Sequence, residues 1–175
     1  MSEIVLVGNS ALRTRCEEVD LTLLPSLNIE TLLNRMHNTM KEERGIGLAA
    51  NQIGVTMRIF ILKLDDTSFK EYINPIITSA IELVPFEGEA CLSVPGTSAT
   101  TQRFRQVDLQ WYDRNGTQQH SSFTDLQAFA VQHEMDHLDG KLYIDAFGPA
   151  RKLLIMDKHR KYLKQVSRRS RNNLR

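Results

Sequence analysis

The seven residues Gln132-His133-Glu134-Met135-Asp136-His137-Leu138 constrain this chain most, because they contain the pattern H-E-x-x-H. On an α-helix, residues four apart lie one above the other, so the imidazoles of His133 and His137 can reach a single metal ion. Glu134 then lies beside that ion, where a carboxylate can take a proton from a metal-activated water. The pattern carries this meaning only on a helix, and helix signals flank it. Thr124-Asp125-Leu126-Gln127 reads as a capping box. Leu126, Ala130, His133 and His137 share one face, and Gly140 follows as a stop. The expected helix begins in apolar packing and ends in metal ligands.

A chain of 175 residues suits one domain with one core. From Ile29 the apolar residues Leu32, Leu33, Met36 and Met40 recur at helical spacing, with Ser26 or Asn28 as cap and an end near Gly45. His37 on this helix reads as a surface or packing residue. Residues 57–64 are apolar on both faces, as in a buried strand. Residues 72–77 and 81–86 are two further strand candidates, which Pro75 and Pro85 limit to edges or ends. Val107, Leu109 and Trp111 alternate with polar residues, and Asn115-Gly116 turns that strand back as a hairpin. The predicted fold class is therefore α+β, with mostly antiparallel strands packed around a central metal-binding helix. A C-terminal helix over about 149–166 starts at Pro149, and Leu153, Leu154, Leu163 and Val166 form the stripe that holds it. Residues 1–166 then make a single metallohydrolase domain, and 167–175 a flexible basic tail.

The two cysteines, Cys16 and Cys91, are too few for a disulfide framework and suit a reducing compartment. With no secretory pattern at the start and no apolar run long enough for a membrane span, a soluble cytoplasmic protein is expected. The net charge of +1 hides an asymmetry: residues 151–175 hold 10 Lys or Arg against one Asp, a local +9, so the remaining chain is at −8. A basic end on an acidic body points to a polyanionic partner.

A hydrolytic metal site needs three protein ligands and an open position. A continuation H-x-x-G-x-x-H would supply the third ligand downstream; Gly140 fits it, but residue 143 is Tyr. A remote carboxylate stays open. Cys91 is the better candidate, because small residues and Pro95 make a tight turn around it and leave the next backbone N–H free. Two imidazoles and a thiolate suit a borderline-soft ion such as Zn, Fe or Co. In the run Gly45-Ile46-Gly47-Leu48-Ala49-Ala50-Asn51-Gln52, the glycines let backbone approach a ligand, and Gln52 offers a neutral donor that could polarise a carbonyl.

Residues 45–52 resemble the G-x-G-L-A-A-x-Q motif of peptide deformylases, Glu89 to Ser93 their E-G-C-L-S, and Gln132 to Leu138 their Q-H-E-x-D-H-L, in the same order and at similar separations. The resemblance implies removal of the N-formyl group from the initiator methionine of new polypeptides. By it, Cys91, His133 and His137 hold one divalent ion, usually Fe(II), with Zn, Ni or Co able to replace it. Glu134 is the catalytic base, while Gln52 and the Leu92 N–H receive the oxyanion. Gly45, Ile46, Gly47, Leu126 and Ala130 bind substrate, and Glu89 pairs with Arg103 to fix the Cys91 turn. Docking at the ribosome through the basic C-terminal end is also implied. Ala90 stands where the motif has Gly, and Gly96 and Ser98 replace an acid and an Arg, so the peptide backbone is expected to be held less tightly. Two other readings stay open: a metal-dependent amidase for a different N-acyl substrate, and a non-enzymatic ribosome-associated module with a structural metal.

Overall fold

In a computed structural model of the protein, described for residues 4–24, 28–63 and 68–172, a five-stranded antiparallel sheet wraps around one helix. The strands are β1 (Gly47–Ala49), β2 (Ile59–Lys63), β3 (Phe69–Glu89), β4 (Ala99–Tyr112) and β5 (Gln118–Thr124), and each pairs with the next in sequence. The helices are α1 (Ile29–Glu42), α2 (Asp125–Leu138) and α3 (Pro149–Asn172). The expected fold class holds, and α2 is the metal-motif helix.

Helix α2 is buried on two sides. Ala128, Val131 and Leu138 face a sheet core made of Phe60, Leu62, Tyr72, Val107, Leu109, Trp111 and Phe123. Its His133, Glu134 and His137 lie on the flank of that face, so the sheet's packing fixes where the motif points. The expected capping box does not form: Thr124 occupies the N-cap position without a side-chain hydrogen bond, and Asp125 begins the helix at φ 50°. Leu126 in this first turn is exposed rather than packed. The helix is set by burial of its sheet-facing residues, since tertiary packing supplies most helical stability. In α1, Asn28 stands at the N-cap with no capping hydrogen bond, and Ser26 lies outside the described residues.

Residues 72–77 and 81–86 belong to one strand of 21 residues, β3, and not to two. Pro75 falls at a register shift between Ile73 and Ile76, where no ladder hydrogen bond is lost. Pro85 pairs with Gln102 of β4, in the half of β3 that β2 does not reach, since β2 pairs only with Phe69 to Ile73. The β2 candidate is shorter than expected, Ile59–Lys63, with Leu64 outside the described residues.

Helix α3 corrects two expectations. It runs to Asn172, so 167–172 is helical and not a loose tail, while 173–175 lie outside the described residues. Leu153, Leu154 and Val166 are exposed. The helix docks instead through Ile155 and His159, with Leu163 half-buried, and Ile155 joins a core of Leu12, Cys91, Val94, Leu142, Tyr143 and Ile144. Counting apolar residues missed this face because its most buried member, His159, is a histidine.

Candidate metal centre and its cleft

The Cys91 thiol and the ring nitrogens of His133 and His137 offer donor atoms that all lie within 4.8 Å of one another. Sγ of Cys91 is 3.1 Å from Nε2 of His137. Bonds from such donors to a divalent ion are about 2.0–2.3 Å, so a cluster of this size needs only a few tenths of an ångström of closure to hold a single ion. The thiolate and two imidazoles are the donors a borderline-soft cation takes. Among the described residues, His137 Nδ1 and Glu134 Oε2 are buried without a hydrogen-bond partner.

His133 is aimed by a chain of partners behind it. His133 donates from Nδ1 to Glu89 Oε1 at 2.6 Å, which leaves Nε2 with its lone pair for the ion. Glu89 is buried in turn among Arg103, bonded at 2.6 and 3.1 Å, and the Thr101 hydroxyl. Arg103 also reaches Asp136 at 2.6 Å. Burial alone would raise the Glu89 carboxyl, but hydrogen bonds from His133 and Arg103 outweigh it and hold it down at about 2. The expected Glu89–Arg103 pair is therefore present; sequence reading missed Thr101 and Asp136, which complete it from the neighbouring strand and from α2.

Glu134 is fully enclosed beside the ligands, and burial, the leading cause, pushes its carboxyl up to about 7. Room for it comes from Gly47: a Cβ there would lie 2.3 Å from Glu134 Oε1. Gly47 thus sits behind the carboxylate and does not line the cleft, unlike Gly45, Ile46, Leu126 and Ala130, which do. Gln52 also lies behind the site. Its Oε1 accepts from the Ala49 N–H at 2.9 Å, and its Nε2 donates to Ser93 Oγ at 3.2 Å and to Cys91 Sγ at 3.6 Å. The Leu92 N–H donates to none of the described residues and borders the cleft.

The cleft itself is about 640 Å³, with Cys91, His133 and Glu134 in its lining. Its walls include three aromatic residues not anticipated from sequence: Phe86, Phe129 and Tyr162, the first two packed with ring planes tilted by 33° and centroids 4.7 Å apart. Phe129 follows Leu126 by one helical turn, a spacing that could have revealed it; Tyr162 depends on how α3 docks and left no local signal. Ala90 borders the cleft, exposed and without a positive φ, so the methyl group there is accommodated. Ser98 is exposed and lies outside the cleft.

Three protein donors with a buried carboxylate at their side, open to a cleft, are the construction of a hydrolytic metal centre; a structural ion is closed by four protein ligands. Within that class, residues 1–153 match the model of the polypeptide deformylase family. Peptide deformylase 2 of Xanthomonas campestris pv. campestris is 40% identical over 159 residues, covering 89% of this chain and 92% of that protein. The crystal structure of a peptide deformylase from Legionella pneumophila superposes with a TM-score of 0.88 at 33% identity, covering 94% of this chain and 96% of that one. A Met-Ala-Ser-bound class I type b peptide deformylase from Acinetobacter baumannii matches with a TM-score of 0.77 at 28% identity, over 82% of this chain and 96% of that one. This chain belongs to the peptide deformylase family.

Proposed function

We propose that this protein removes the formyl group from the initiator methionine of new polypeptides in the cytoplasm, with one divalent ion held by Cys91, His133 and His137. The observation that carries the reading is Glu134: a carboxylate enclosed at the floor of a cleft, beside three metal donors, in space that Gly47 leaves for it. Fe(II) suits the thiolate and imidazole donors, and Zn, Ni or Co would be accepted by the same set. Bound there, such an ion supplies Lewis acidity toward the formyl oxygen and lowers the pKa of water.

The chain's own groups do the rest. Glu134 takes the proton of the attacking water as its oxygen bonds to the formyl carbon, then passes that proton to the methionine nitrogen as the C–N bond breaks. Formate and a free α-amine leave. The Leu92 N–H receives the charge that develops on the formyl oxygen, and the Gln52 amide joins it once its Nε2 turns from Ser93 Oγ or Cys91 Sγ toward the cleft. Ile46, Leu126 and Ala130 offer apolar surface to the methionine side chain. The basic face of α3 offers Lys and Arg to ribosomal RNA phosphates, so the ribosome is the proposed partner.

A second reading, an amidase for another N-acyl peptide, is favoured by the absence of an Arg at position 98. Anaerobically purified, iron-loaded protein assayed on formyl-Met-Ala-Ser and acetyl-Met-Ala-Ser separates the two. Turnover confined to the formyl peptide is expected; preference for the acetyl peptide would sink the deformylase reading.

A further inference from the structure

We infer that Tyr162 of the C-terminal helix forms the part of the cleft wall that meets peptide residues following the methionine, and so helps select which peptides bind; this rests on the deformylase reading. The evidence in the fold is local and concordant. His159 is only 3% exposed and donates from Nδ1 to the Pro95 carbonyl at 3.0 Å, which pins α3 to the turn carrying Cys91. Three residues further on, Tyr162 lies over Gly96 so closely that a Cβ there would come within 2.2 Å of Tyr162 Cγ and 2.4 Å of its Cβ. Gly96 also has φ +77°, a conformation glycine adopts without strain. Glycine at this position is therefore what lets the helix close on the turn.

Although held at its base, Tyr162 is 39% exposed, and it lines the same cleft as Cys91, Leu92 and His133. The formyl carbon must lie at the metal donors, so the peptide beyond methionine has to leave along the cleft walls. The Pro95–Thr97 wall presents no charged side chain, and Ser98 lies off it. Tyr162 supplies that wall with a flat apolar ring and one hydroxyl, a surface that packs on side chains and exchanges hydrogen bonds with a peptide backbone. Contacts of this kind, made equally in the bound ground state and the transition state, appear in KM and not in kcat.

The test compares formyl-Met-Ala-Ser with formyl-Met, which lacks the residues Tyr162 would touch. Tyr162→Ala should raise KM for the tripeptide by about three- to tenfold with kcat kept, and leave formyl-Met kinetics unchanged. Tyr162→Leu, which keeps an apolar side chain over Gly96, should show the same split, and Tyr162→Phe should stay close to wild type if the ring dominates. Calorimetric binding of the product Met-Ala-Ser should weaken in proportion, a readout that needs no turnover. Equal changes on both substrates in Tyr162→Ala and Tyr162→Leu, or no change on either, would overturn the inference. Wild-type protein that turns over neither substrate would instead overturn the deformylase reading, and this inference with it.

Discussion

Gly47 shows how a residue legible as functional can serve a different purpose from the one its motif suggests. In sequence it reads as a place where backbone meets ligand; in the fold the space above it is filled by Glu134 Oε1, with Leu62 Cδ2 also within 2.9 Å of where a Cβ would be. No local pattern reveals this, because the carboxylate arrives from a helix far along the chain. Gly47→Ala must therefore displace the carboxylate, and metal content should hold while kcat falls. Glu134→Gln gives the reference: with no base left, kcat should fall by about 10²- to 10⁴-fold at unchanged metal occupancy. A Glu134→Gln protein that remained active would remove Glu134 from the mechanism. The two cysteines, alike in composition, separate by environment. Cys91 stands 3.1 Å from His137 Nε2, whereas burial pushes the Cys16 thiol up to about 11 in the sheet core, where it stays protonated. Metal content measured by mass spectrometry should drop in Cys91→Ser and not in Cys16→Ser, since a hydroxyl is a poor substitute for a thiolate toward such an ion.

Among the elements, periodicity located α1 and the Val107–Trp111 strand, because each buries one regular face, whereas α2, buried on two sides, is legible through its H-E-x-x-H motif and the stop that follows it. Periodicity divided β3 in two because prolines normally end strands, and it could not show that Pro75 sits at a bulge or that half of β3 has only β4 beside it. It chose the wrong face of α3 because the docking residues there are Ile155 and a histidine, and a hydrophobicity pattern gives no weight to the histidine. The start of α3 is tied down by Asp145, which bonds Arg13, the Leu142 N–H at 2.9 Å and Lys152 Nζ at 2.5 Å. Partial burial acts to raise the Asp145 carboxyl, but these hydrogen bonds outweigh it and hold it down at about 2. A carboxyl depressed in the folded state contributes stability that is complete above its unfolded pKa of about 4 and is lost as pH falls toward the folded value. The melting-temperature gap between wild type and Asp145→Asn should therefore be constant at neutral pH and narrow as pH falls from about 4 toward 2. A gap that did not narrow would mean that Asp145 acts through packing and not through its charge.

On the scale of the whole molecule, the charge asymmetry visible in sequence becomes a spatial one. The +9 of residues 151–175 lies almost wholly on α3. That helix is held at its first half by Ile155 and His159, and residues 164–169 and 171 beyond half-buried Leu163 are exposed. One element thus carries both a wall of the cleft, through Tyr162, and an array of cations, through its far end. A nascent chain emerges beside ribosomal RNA, so cations fixed on the helix that borders the cleft would hold the site near its substrate. Deleting residues 168–175 removes Arg168, Arg169, Arg171 and Arg175 but spares Ile155, His159 and Tyr162. Hydrolysis of free formyl-Met-Ala-Ser should therefore be unchanged. Ribosome affinity should fall, and because each phosphate contact releases counterions, the slope of log affinity against log salt should become shallower by up to about 3. Binding of the truncated protein to ribosomes across a salt series, by co-sedimentation, reads both quantities together. Unchanged affinity and unchanged slope would leave the far end of α3 as a solvated helix, whereas lower affinity at the same slope would point to a contact of shape and not of charge.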